Sequence, residues 1–160
     1  MQLTRLQPQD ADRLRAIRLR ALGGSPHAFC STLAETEARP PESWVQQLLE
    51  LETYVVCVDG EDVGMVRGMV VHDPPGAAML MSMWVAPSMR GLGVADLLVD
   101  AVERWALARD CATIVLDVAG DNARAISFYT RRGFVRTGDS APMRPPKQHL
   151  LEHRLAMTIE

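Results

Sequence analysis

Residues Met89–Ala95, MRGLGVA, stand between a strand-like run and a long helical one, and their types suit one kind of chemistry. Glycines at 91 and 93 remove the side chains that would keep a ligand from the backbone, and Arg90 sets a positive charge in front of them. The first amides of the following helix, those of Gly93, Val94 and Ala95 among them, have no intrahelical partners. They point outward with the positive end of the helix dipole and so favour an anion. Two known phosphate patterns fail here. A dinucleotide fingerprint beginning at Gly91 needs Gly or Ala at position 96, where Asp96 stands, and a P-loop needs Gly-Lys-Ser/Thr, whereas the only lysine is the distant Lys147. A pyrophosphate cradle outside both patterns remains, or else a tight turn without a ligand.

A second group of polar residues follows. LDVAGDNARAISFYTRRGF places Asp117 at a strand end and Asn122 at a helix start, with Ala125, Phe128 and Tyr129 further along. Asn122 suits an N-cap, and Ala125 and Tyr129, four residues apart, share a helix face. Other chemistry is poorly provided for. Cys30, Cys57 and Cys111 are widely spaced, form no C-x-x-C pair and read as small buried hydrophobes of a reducing compartment. His72 beside Asp73 reads as an exposed strand end, and His27, His149 and His153 have no metal-ligand spacing, so no metal is expected. Met79, Met81 and Met83 alternate along one strand face, as core or as the wall of an apolar acceptor pocket.

The elements that must carry these residues can be read from hydrophobic period. The chain has 160 residues, 48% of them hydrophobic, with a net charge of −3, which fits one globular domain over 1–160 and disfavours a broad nucleic-acid surface. No run resembles a signal peptide or approaches ~18 apolar residues, so a soluble cytoplasmic chain without membrane partners is expected. Strands are predicted at Gln2–Leu6, Thr53–Asp59, Val63–His72, Ala77–Val85, Ala112–Val118, from Gly133 onward, and over the final HLLEHRLAMTI. A helix opening at Pro8 carries Leu14, Ile17, Leu19 and Leu22 and stops at Gly23-Gly24. Further helices follow Pro40-Pro41 and cover Leu92–Arg109 and Asn122–Arg132, the last stopped by Gly133. Ser25–Arg39 gives mixed signals. Strands and helices interleave throughout, which calls for a mixed α/β sheet with helices on both faces.

Taken together, these motifs resemble the GNAT superfamily of N-acetyltransferases. Val85-Ala86-Pro87 precedes Arg90-Gly91-Leu92-Gly93-Val94-Ala95, similar to the family's R/Q-x-x-G-x-G/A signature. Asn122, Ala125 and Tyr129 match N-x-x-A-x-x-x-Y, and Gly133-Phe134 the terminal G-F, so the likeness spans about Met79–Arg136. LRALGGSPHAFCSTLAETE is less specifically similar to acceptor-side helices of some members. The resemblance implies a mostly antiparallel sheet of six to seven strands and acetyl-CoA as acyl donor. Met83, Trp84 and Val85 would pair with the pantetheine arm through a bulge and a splay of the two middle strands, a freed amide near Val85 polarising the carbonyl. Residues Arg90–Ala95 would hold the pyrophosphate, Asn122 the cofactor arm or a water, and Phe128 would pack core or cofactor. Some of the arginines over 124–136 would meet the 3′-phosphate and the rest form a solvated face.

In this likeness Tyr129 is the general acid, since a phenol near pKa ~10 can reprotonate a thiolate near ~8.5. The base is less defined. Gly76–Pro87 has no carboxylate, and Asp117 stands where some members carry a glutamate, one methylene shorter and better suited to a water relay. Glu35 and Glu37 are weaker candidates. The expected reaction is direct attack of a primary amine, on a small molecule or a peptide, in a ternary complex. A degenerate acyl-CoA sensor, a nucleotide-binding module of another fold, and a homodimer all stay open.

Overall fold

A computed structural model describes all residues of the chain except 27, 28 and 30. Strands β1 (Gln2–Arg5), β2 (Glu52–Val58), β3 (Glu61–Val71), β4 (Ala77–Val85), β5 (Thr113–Ala119), β6 (Val135–Pro142) and β7 (Leu151–Thr158) form one seven-stranded sheet. Its order is β1-β2-β3-β4-β5-β7-β6, and every neighbouring pair is antiparallel except β4 with β5. The helices are α1 (Ala11–Gly24), α2 (Leu33–Glu37), α3 (Pro41–Glu50), α4 (Val94–Leu107) and α5 (Ala123–Arg131).

Strand alternation divides these helices between the two faces. Gly64 and Gly68 of β3 turn toward α4 and admit it closely: a Cβ there would come within 2.7 Å of Val94 Cγ1 and 2.8 Å of Trp105 Cζ3. Helix α5 lies on the same face, tied to α4 by Arg132, which reaches Asp96 at 3.3 Å, Asp100 at 2.5 Å and Glu103 at 3.3 Å. The opposite face receives α1 and α3. There Arg67 of β3 donates to Gln47 Oε1 of α3 at 2.7 Å, and Arg13 of α1 grips Asp62 through two bonds of 2.6 and 2.7 Å. The core runs through both layers and includes Leu14, Ile17, Val66, Leu98, Ile114, Phe134 and Leu155, all nearly or fully buried. Among the described residues no helix is long and apolar enough to cross a membrane.

Several expected details shift. The Ser25–Arg39 stretch contains α2, nucleated by a capping box in which Thr32 Oγ1 accepts from Glu35 N and Glu35 Oε2 accepts from Thr32 N. Helix α1 buries Arg18 rather than Leu19 alongside Leu14, Ile17, Ala21 and Leu22. Strand β6 runs to Pro142, well beyond the predicted GFVRTG, because β7 supplies it with a partner up to Leu151. Cys111 is buried, Cys57 is only half-buried at the β2 register shift, and Cys30 lies outside the described residues. Met79, Met81 and Met83 are half-buried, and of the three Met83 packs against the core.

Candidate functional site

The site begins with a fault in the sheet. Met65 pairs with Trp84 and Arg67 with Met81, so three steps along β4 match two along β3, an extra residue in β4. Ser82 takes φ 55° there, a left-handed conformation unusual for a residue with a Cβ. Arg67 holds it: Nε and Nη2 donate to Ser82 Oγ at 3.0 and 2.8 Å. On its other edge β4 pairs with β5 only from Ala77 to Met79, and the two strands then part. Beyond that point Trp84 and Val85 keep β3 on one side and Leu116–Ala119 keep β7 on the other. Backbone groups along the gap are thus left for a ligand to pair with, as an added strand would.

At the mouth of the gap the chain leaves β4, turns through Pro87–Met89 and enters α4. Gly91 (φ 75°) and Gly93 (φ 85°) both adopt left-handed backbone, and a Cβ on either would meet only open space. Gly93 is the N-cap of α4, and its carbonyl already accepts from Leu97 N at 3.1 Å. The approach to the helix's first amides is therefore clear of side chains, which suits a phosphate. Arg90 does not hang free beside it: Nε donates to Val85 O at 3.2 Å and Nη2 to Ser25 Oγ at 3.4 Å, joining the end of β4 to the loop after α1.

Helix α5 supplies the far wall. Asn122 caps it, its Oδ1 accepting from Ala125 N at 3.2 Å. Tyr129, 5% exposed, is wedged edge-on between Phe128 and Phe134, with ring centroids 5.3 and 5.4 Å away. Burial alone pushes its phenol well above the ordinary value, and among the described residues its hydroxyl makes no hydrogen bond. Trp84, also buried, has an unpartnered indole Nε1.

A cleft of about 830 Å³ joins these features. Of the residues singled out from sequence, Met83, Trp84, Val85, Arg90, Gly91, Gly93, Ala95, Asn122, Ala125, Phe128 and Tyr129 line it. Three do not. Leu92 points outward at 57% exposure, Val94 is core against Gly64, and Asp117 lies on the α1–α3 face, where both its oxygens accept from Arg154 at 2.9 Å. Glu35 is spent on the cap of α2, and Thr32 N holds its carboxylate below the ordinary range. The cleft also has walls the sequence reading did not assign, Ser25 and Pro26 after α1, Met89 and Ser127 of α5, beside Arg124 and Arg131, two of the arginines it had divided between a 3′-phosphate and a solvated face. Arg124, Ser127 and Arg131 recur at helical spacing with Asn122 and Phe128, so the face was there to be read once Asn122 and Tyr129 had been picked out.

Residues 26–134 match the profile of a family described as "Acetyltransferase (GNAT) family". The chain is 29% identical over 135 residues to the mycothiol acetyltransferase of Amycolatopsis mediterranei, covering 80% of itself but only 44% of that protein. It is 24% identical over 143 residues to an aminoglycoside N(6')-acetyltransferase type 1 of Salmonella typhimurium, covering 86% of itself and 93% of the relative. Among solved structures, a ribosomal-protein-alanine N-acetyltransferase from Brucella melitensis superposes with a TM-score of 0.79 at 19% identity, over 99% of this chain and 100% of the other. At that identity the likeness is one of fold.

Proposed function

Because the chain belongs to the GNAT acetyltransferase family, we propose that it transfers an acetyl group from acetyl-CoA to a primary amine by direct attack within a ternary complex. The observation that carries this reading is the gap between β4 and β5, with the open Gly91–Gly93 turn at its mouth and Tyr129 in its wall. The residues present fit such a donor. The turn and the first amides of α4 would hold the pyrophosphate, with Arg124 and Arg131 of the α5 wall near enough to the cleft to meet further phosphate charge. The unpaired edge of Met83–Val85 would take the pantetheine arm as a strand takes its neighbour, and Phe128 would pack against it. When bound, the donor supplies an activated thioester.

In this reading a backbone amide near Val85 polarises the thioester carbonyl, the amine nitrogen bonds to its carbon, and the carbon–sulfur bond breaks. Tyr129 gives its proton to the departing sulfur and recovers one from water, while the ammonium proton of the new amide leaves to solvent. The raised pKa of Tyr129 keeps it neutral and loaded throughout the neutral range. Asp117 lies outside the cleft lining with both oxygens engaged by Arg154, so it would receive that proton only after water has carried it away. Among the described residues no cysteine lines the cleft, which favours direct attack over a covalent acyl-enzyme.

A thermal-shift series with acetyl-CoA, CoA, ATP and NAD, followed by CoA release across an amine library, tests the proposal. Acetyl-CoA and CoA should stabilise the fold by about 2.7 kcal/mol at a hundredfold excess over Kd. At least one amine should then release CoA. Stabilisation by ATP or NAD but not by CoA would sink the donor assignment, and binding without release by any amine would make the chain a sensor.

A further inference from the structure

The α1–α3 face carries charge in an unusual distribution. Toward its surface three arginines are paired with carboxylates: Arg13 with Asp62 at 2.6 Å, Arg20 with Glu61 at 2.7 Å and Arg154 with Asp117 at 2.9 Å. Beneath them lie two that are not. Arg18 of α1 is 5% exposed and Arg67 of β3 is 7% exposed, and among the described residues neither touches a carboxylate. This inverts the usual rule, since a buried charge normally keeps an opposite partner and an exposed one can do without.

The two guanidinium groups differ in how they are satisfied. Arg67 spends its donors on neutral groups, Ser82 Oγ and Gln47 Oε1. Arg18 lies over the ring of Phe29, 5.3 Å from its centroid, and its Nη1 is buried without any hydrogen-bond acceptor. Burial and neighbouring arginines act on both in the same sense: Arg18 is pushed down to about 10 by desolvation, Arg39 and Arg144, and Arg67 to about 9 by desolvation, Arg18 and Arg39. Both remain cations at neutral pH. Arg39 and Arg144 are exposed, so positive charge runs from solvent inward to Arg18. Glu35 faces this rim and is influenced by Arg144 and Arg39, but it does not reach the inner pair. The group also adjoins the donor cleft, because Arg67 ends on Ser82, the residue before cleft-lining Met83.

Two buried arginines without carboxylate partners, one with an orphaned donor and both under the charge of exposed Arg39, are costly in an empty protein and become favourable when an anion arrives. We infer that the acceptor carries an anionic group, a carboxylate or a phosphate, beside its reacting amine, and that Arg18, backed by Arg67 and led to by Arg39 and Arg144, receives it. The inference rests on the acetyl-transfer reading for the amine, and on this face alone for the anion.

Matched acceptors separate the two. The full-length chain is given acetyl-CoA with amino acids, the corresponding amino acid amides, and aminoalkyl phosphates beside their alkylamine counterparts, and kcat/KM is read from CoA release. The anionic member of at least one pair should be favoured about tenfold to a hundredfold, the worth of a charge-assisted bond. Whichever pair responds identifies carboxylate or phosphate. Arg18→Gln should erase that ratio while leaving acetyl-CoA affinity intact, and Arg144→Ala, an exposed change safe for folding, should lower it partly. Neutral and anionic acceptors used equally well, or a ratio that survives Arg18→Gln, overturns the inference and leaves acetyl transfer standing. If no amine is acetylated, thermal shifts with the free amino acids and aminoalkyl phosphates decide: stabilisation lost in Arg18→Gln upholds the anion site, and its absence in the parent chain refutes it.

Discussion

Tyr129 owes its place to two aromatic neighbours and not to its own hydroxyl. With Phe128 and Phe134 holding the ring edge-on, Tyr129→Phe keeps every packing contact and removes only the O–H. Turnover should fall by about 10²-fold, the range of one acid–base group, with acetyl-CoA Kd by calorimetry and the melting temperature nearly unchanged. Unchanged turnover would take Tyr129 out of the mechanism. The sequence pattern was enough to choose this residue, because N-x-x-A-x-x-x-Y fixes Asn122, Ala125 and Tyr129 on one short helix. The same pattern was not enough for Asp117. A strand-end carboxylate five residues before Asn122 looks equally available in sequence, and its partner Arg154 is a neighbour only across the β5–β7 ladder.

At the scale of the element, the turn into α4 depends on two glycines that no side chain replaces without loss. Gly93→Ala forces a Cβ onto left-handed backbone, at about 1–2 kcal/mol. It also sets a methyl in the space from which an anion would reach the helix amides. The melting temperature should drop by about 2–8 °C. KM for acetyl-CoA should rise with little change in kcat at saturation, which steady-state kinetics would show. A variant with unaltered KM would place the phosphates elsewhere. The position of this turn was legible from Gly91 and Gly93, since glycine spacing is local. The bulge in β4 was expected only through the family resemblance: nothing in AAMLMSMWV itself marks Ser82 as left-handed, because Arg67 on the next strand holds it there. Arg18 was legible in principle, lying on the Leu14–Ile17–Ala21 stripe, but an arginine on an apolar stripe is ordinarily assigned to the surface.

For the whole molecule, burial of two tyrosines sets an alkaline limit. Tyr54 is raised to about 12, by burial first and by Glu52 second, and Tyr129 is raised further by burial. In the unfolded chain both titrate near 10, so the folded state holds its protons more tightly. The stability this confers is complete below pH ~10 and is lost as pH rises above it, because the unfolded chain then releases protons that the fold retains. Melting curves at pH 8 and pH 10.5 should separate. The difference should shrink in Tyr129→Phe, and a curve indifferent to that substitution would mean that the phenol is not buried. The sequence by itself pointed to the family, to the order of elements apart from α2, and to the proposed donor-side motif, since these depend on local spacing: glycines before a helix, a capping asparagine, a tyrosine one face along. Only the tertiary structure decided how β4 and β5 part, that Asp117 belongs to Arg154, and that Arg18 and Arg67 are both buried without a carboxylate among the described residues. Those are relations between residues far apart in the chain, and a partner brought near by folding leaves no period in the sequence from which to read it.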